Sequence, residues 1–238
     1  MKSILFVPLL AFVCSCAPLR HSQLKTATLP GLGALGKPGK KILQNNFHPY
    51  GHPSLVTPVA VAMKEVPFSR SEFRKFADLK RAKGQETTVV FVDSLPNKPT
   101  YTLLEITDML ALQQQLNAKE NDRARNYLAK EGEARLVHRI SFRLEGKQAQ
   151  ALSKAEGIFL TEDRHGLLEL ECVLGRERQR IALSDLDIFD YGTVGFCWEA
   201  DRYGKENIAL ISIGKTNCPR GTSPKAHKLD NTKSYLKI

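Results

Sequence analysis

At 238 residues with 42% hydrophobic side chains, the chain is long enough for one or two domains with a real core. Its net charge of +10 is uneven: residues 17–83 carry twelve Lys/Arg against three Asp/Glu, 84–218 seventeen against twenty-one, and 219–238 five against one. The basicity belongs to the flanks and is not interleaved with aromatics on one face, which argues against a nucleic-acid partner.

The first element is Met1-Lys2-Ser3 followed by an uncharged run from Ile4 to Val13. A membrane-spanning helix needs ~20 apolar residues, so this run is too short to cross a bilayer. It fits the charged start and the apolar region of ~7–15 residues of a secretory signal peptide. The run ends in FVCSCAPL. Cleavage after Ala17 leaves Pro18 first, a poor arrangement for ordinary signal peptidases. Cys16 instead follows the small Ser15, with aliphatic Val13 two positions before that, whereas Cys14 follows the bulky Val13.

In these residues the chain resembles the lipobox of bacterial lipoproteins; the resemblance covers residues 1–17 only, with Cys14 standing where Ala, Ser or Thr is commoner. It implies a signal peptide over 1–15, a diacylglycerol on the Cys16 thiol, and cleavage that leaves Cys16 N-terminal. Each buried CH₂ contributes ~0.8 kcal/mol, so several acyl chains make a lasting anchor. Ala17, rather than Asp, leans toward the outer membrane facing the periplasm, and no acidic cluster marks surface export.

Residues 16–55, with LPGLGALGKPGKK and FHPYGHP, read as a flexible, basic, Gly/Pro-rich tether. His48 and His52 stand four apart, but Pro49 and Pro53 forbid the helix that would join them on a metal, and no metal or cofactor is expected. A single domain is expected over 56–218. VTPVAVAM gives a short strand that Pro58 confines to an edge or a strand start. Ser69 with Glu72 has capping-box spacing, and Gly84 stops the helix between them and it. That helix has a basic face of Arg70, Arg74, Lys75, Lys80, Arg81 and Lys83.

TTVVFVD, from Thr87 to Asp93, reads as a buried strand, and TYTLLEIT as its antiparallel partner. Met109, Leu112 and Leu116 recur at helical spacing, and polar KENDRARN leaves one long helix or two short ones open. RLVHRISFRLE alternates as a strand and KQAQALSKAE is a short helix. GIFLTED, LLELECVLG, ERQRIALS, DIFDYG, VGFCWEA and IALISIG are short strands between tight turns. The fold class is therefore α+β: an antiparallel, meander-rich sheet of about six to eight strands with two or three helices on one face. Residues 219–238 read as a basic C-terminal tail.

Alternation puts Cys172 among core residues and Cys197 on the opposite face from Trp198, so Cys197–Cys218 is the favoured disulfide, against two unpaired thiols. Three aromatics, Tyr191, Trp198 and Tyr203, are candidates for a partner-binding surface, although Trp198, on the alternating apolar face with Phe196, is better suited to the core. The sequence contains no G-x-S-x-G, phosphate loop, H-E-x-x-H or C-x-x-C, so no catalytic residue is assigned. His138 lies on an apolar strand face, His165 in a turn, and SDLDIFDYG lacks the glycine of a calcium loop. The expected function is a membrane-anchored envelope lipoprotein that binds or assembles with an envelope protein. The alternatives are an envelope hydrolase using Asp185 or Asp187, acting on a glycan or peptide, and a small-ligand-binding module.

Overall fold

The computed structural model describes residues 29–39, 47–94, 96–212 and 218–229. Cys16 and the signal segment lie outside the described residues. The described chain is α+β, with ten strands in one sheet and antiparallel pairing throughout. The strands are β1 (Leu35–Pro38), β2 (Phe47–Gly51), β3 (Val59–Pro67), β4 (Thr100–Ile106) and β5 (Arg135–Phe142). They continue with β6 (Gly157–Glu162), β7 (Leu168–Leu174), β8 (Glu177–Ala182), β9 (Ile188–Ala200) and β10 (Glu206–Ser212). The helices are α1 (Arg70–Ala82), α2 (Met109–Asn117), α3 (Asp122–Lys130) and α4 (Gly146–Lys154).

Sheet order is β10-β9-β5-β4-β3-β6-β7-β8, with β1 joined to β5 and β2 to β1. Two meanders, β3–β5 and β6–β8, meet where β3 pairs β6, and α4 carries the chain between them. Alternation decides which side chains are buried. Leu168, Leu170 and Cys172 of β7 enter the main core with Val59 and Val61 of β3 and Leu104 and Ile106 of β4. Leu112 and Leu116 of α2, Leu128 of α3 and Leu152 of α4 cover that core. Helix α1 lies elsewhere: adjacent β9 residues Ile188 and Phe189 join different clusters, and Phe189 meets Phe76 of α1 on the opposite sheet face.

Helix α1 starts where its cap predicts, with the Glu72 N–H donating to Ser69 Oγ at 3.4 Å. Pro58 stands one residue before β3, where its missing N–H removes no ladder bond. The polar KENDRARN stretch resolves into a 3-10 turn and α3, two short helices rather than one.

Three boundaries differ from the sequence expectation. The segment read as a tether contains β1 and β2, and the domain is already formed at residue 29, with Leu32, Leu35 and Leu55 buried. Its glycines serve packing as well as turns. Gly33 has φ +81°, and a Cβ at Gly36 would fall 2.5 Å from the Phe47 ring. The run TTVVFVD forms no ladder; β4 pairs β3 and β5 instead. The first part of the C-terminal tail folds back: Trp198 and Ser223 exchange backbone hydrogen bonds of 2.7 and 2.9 Å, and Ala226 is buried.

Candidate functional site

A cleft of about 420 Å³ opens between the C-terminal end of α1, the segment after it, the end of β5 and the turn before β9. Gly84, at φ +69°, ends α1 and turns the chain outward. From Gln85 to Val92 the chain runs without turn, bend or ladder. Its side chains alternate as in a strand. Val89 and Phe91 pack inward on the aromatic cluster, with the Phe91 ring stacked 4.9 Å from that of Phe73. Val90 and Val92 face out, at 75% and 44% exposure.

The opposite wall is built from Arg143, Leu144, Glu145, Asp185 and Asp187. Arg143 follows β5 and donates from Nη1 to the Thr100 carbonyl at 2.7 Å, while its Nε lies 3.4 Å from Glu145 Oε1. Asp187 is gripped by Lys80 at 2.5 Å and by Lys83. Burial raises the Asp187 carboxyl, and hydrogen bonds from the two lysines more than offset that, holding it below its ordinary range. Glu86 has no ion-pair partner among the described residues, and Asp185 receives only the Ser184 hydroxyl at 3.3 Å. The lining therefore holds four carboxylates against the cations Lys80 and Arg143, both already engaged.

The basic face of α1 is similarly occupied. Lys75 meets Asp190 at 2.9 Å, Arg70 meets Asp93 at 3.3 Å and Arg81 meets Asp78 at 2.9 Å, which leaves Arg74 exposed without an ion pair among the described residues. A second cavity, of about 260 Å³, lies under the N-terminal segment between Leu32, Ala34, Leu168 and Leu183, with Leu167 at its lip 60% exposed.

The three aromatic candidates do not form one surface. Trp198 is 3% exposed beside Phe196 and under Ser223, so it belongs to the core and presents nothing to a partner. Tyr191 is half-buried against Phe47 at 5.7 Å, packed on the main core. Tyr203 alone is open, at 72%, in the β9–β10 turn with the Arg202 guanidinium over its ring. Cys197 and Cys218 form a disulfide, with Cα atoms 5.5 Å apart. Cys172 is fully buried, and burial pushes its thiol above the ordinary range.

His138 sits with Nδ1 3.1 Å from the Gly192 carbonyl and Nε2 3.7 Å from Glu105. Burial pulls its imidazole below the usual histidine range, against the opposing pull of Glu105. His165 lies in the β6–β7 turn, whose Asp163 carboxylate accepts from the N–H groups of His165 and Leu167. His48 lies on β2, and His52 approaches only the adjacent Pro53 carbonyl; no group of three His, Cys, Asp or Glu among the described residues can hold a metal ion.

Sequence reasoning placed Asp185 and Asp187 but missed Glu86, Arg143, Glu145 and the exposed edge at Val90. The signal was present in the outward alternation of Thr88, Val90 and Val92, but the β-branched composition pointed to burial. The chain matches no protein-family model, no curated protein and no solved structure. Among the described residues no helix is long and apolar enough to cross a membrane.

Proposed function

We propose that this chain is a non-enzymatic binding or assembly module of the cell envelope. Cys16 carries the lipid anchor, the protein sits on the outer membrane facing the periplasm, and the cleft beside α1 receives an envelope protein. The observation that carries the reading is the cleft wall Gln85–Val89 with its extended continuation to Val92: a strand-like segment, fixed by its inward side chains, with Val90 and Val92 turned to solvent beside the cleft. The cleft's main charged groups are engaged with one another, which suits a recognition surface. A hydrolytic pair needs one carboxyl protonated beside an ionised one, and the two lysines on Asp187 oppose that arrangement.

The test is site-specific photo-crosslinking in the full chain, with the reactive residue at Thr88 in the cleft wall or at Glu177 on β8 as control. The expected result is a defined adduct with one envelope protein from Thr88 alone, in the membrane fraction, and loss of that fraction in Cys16→Ala. Soluble protein carrying no adduct at Thr88 overturns the reading. The cavity under Leu32 and Leu168 favours small-ligand binding in second place; an apolar dye that binds wild type and not Ala34→Phe would promote it.

A further inference from the structure

We infer that Thr87–Val92 is a docking strand, and that its occupant is an extended, basic segment of another polypeptide; this rests on the reading of the cleft as a partner site. The backbone supplies the first argument. Among the described residues no backbone group from Glu86 to Asp93 bonds to another backbone group; the Val89 N–H reaches only its neighbour Thr87 Oγ1, at 3.2 Å. A row of unpaired N–H and C=O groups on an extended segment is a template for strand addition.

The segment is held ready for that role. Phe91 stacks on Phe73 and Val89 packs beside it, so alternate residues fix the strand to the domain. Asp93 is tied to Lys98 at 2.8 Å and to Arg70 at 3.3 Å, which anchors the far end. Little ordering is left for an incoming strand to impose, and pre-organisation of this kind favours affinity. The outward Val90 and Val92 offer an apolar contact to alternate residues of the arriving strand.

Charge selects the occupant. Among the described residues, Glu86 and Asp185 are the cleft carboxylates left without a cation, whereas Lys80 and Arg143 are taken. Basic side chains on the arriving segment complete them. A second copy of this chain brings the same carboxylates to the pairing and opposes like with like.

The experiment uses a nine-residue peptide of alternating valine and lysine, its valine–glutamate counterpart, and the basic peptide with a central proline. Binding to the full chain is read by fluorescence anisotropy and by amide hydrogen exchange. The basic peptide should bind at least about tenfold tighter than the other two and protect the amides of residues 88–92. Val90→Pro removes an N–H that no group among the described residues uses, so it should leave thermal unfolding unchanged and weaken peptide binding about tenfold. Val90→Thr, which keeps the N–H, should bind as wild type.

Equal binding of the proline-interrupted peptide, or full binding by folded Val90→Pro, overturns the inference. So does protection of 88–92 in a dimer without peptide, which would assign the strand to a second copy. An envelope adduct from Thr88 with no peptide protection leaves the partner reading standing and removes strand addition; failure of both removes the two together.

Discussion

Asn117 and Ile208 exchange two hydrogen bonds: the side-chain amide donates to the Ile208 carbonyl at 2.8 Å, and the Ile208 N–H donates back to Asn117 Oδ1 at 2.9 Å. An asparagine on a helix thus stands where the next strand would be, on the open edge of β10. Gln113 adds donations to the Ile208 and Ala209 carbonyls at 3.1 and 2.9 Å. Gln115 makes the same reciprocal pair with Thr57, and Asn121 with Ser54. Amide side chains from α2 and the following turn therefore cap an edge strand and fix the approach to β3.

Replacing Asn117 with Leu keeps bulk, leaves the Ile208 N–H without its acceptor and leaves the Ile208 carbonyl with Gln113 alone. Leaving a buried backbone group unsatisfied costs ~1–3 kcal/mol. Urea unfolding should show that loss, and the freed edge should raise concentration-dependent association. A stability within about 0.5 kcal/mol of wild type, with no association, would show that water substitutes for the amide.

The β1–β2 hairpin predicts a cost at Gly36. A methyl group there would lie 2.5 Å from the Phe47 ring and collide with the His48 carbonyl, so the two strands must separate. Overpacking of this kind costs about 1–3 kcal/mol. Gly36→Ala should lower the thermal midpoint, while Gly84→Ala, with nothing within 4 Å, tests only the strain of its positive φ. An unchanged midpoint for Gly36→Ala would return this region to the status of a tether.

The errors and successes of the sequence reading have a common physical cause. Elements whose signal is local were legible: the Ser69 cap, the alternation that places Cys172 of β7 in the core, and the Cys197–Cys218 face argument. Glycines were read as breakers because sequence shows their freedom but not their neighbours. Gly36 is required by Phe47, eleven residues away and across a hairpin. TTVVFVD has the composition of a buried strand, yet burial is conferred by a partner, and β4 finds its partner in β3. The cleft was illegible for the same reason, since Lys80 and Asp187 meet across 107 positions.

His138 makes stability fall with acid. Its imidazole is held below its ordinary value of 6.5, with burial the largest cause. The unfolded chain therefore takes up the proton first, so the stabilising difference is full above about pH 6.5 and disappears as pH falls through the lower folded value. Urea midpoints of wild type should drop between about pH 7.5 and 5 more steeply than those of His138→Gln, which has no proton to bind there. Parallel curves for the two proteins would remove His138 as the source.

The disulfide predicts a redox-dependent core. Cys197 and Cys218 are 21 residues apart, and cross-linking a loop of that size stabilises by about 3 kcal/mol in the chain-entropy account. The bond also holds the segment that pairs with Trp198 through Ser223 and buries Ala226. Cys197 is itself fully buried, because the returning segment covers the face that alternation turns outward. Cys218→Ser, or reduction of wild type, should lower the thermal midpoint and shift the single tryptophan's emission to longer wavelength as water reaches it. A lowered midpoint with unchanged emission would mean that the backbone bridge at Ser223 alone keeps Trp198 covered, and that the disulfide acts only on the unfolded chain.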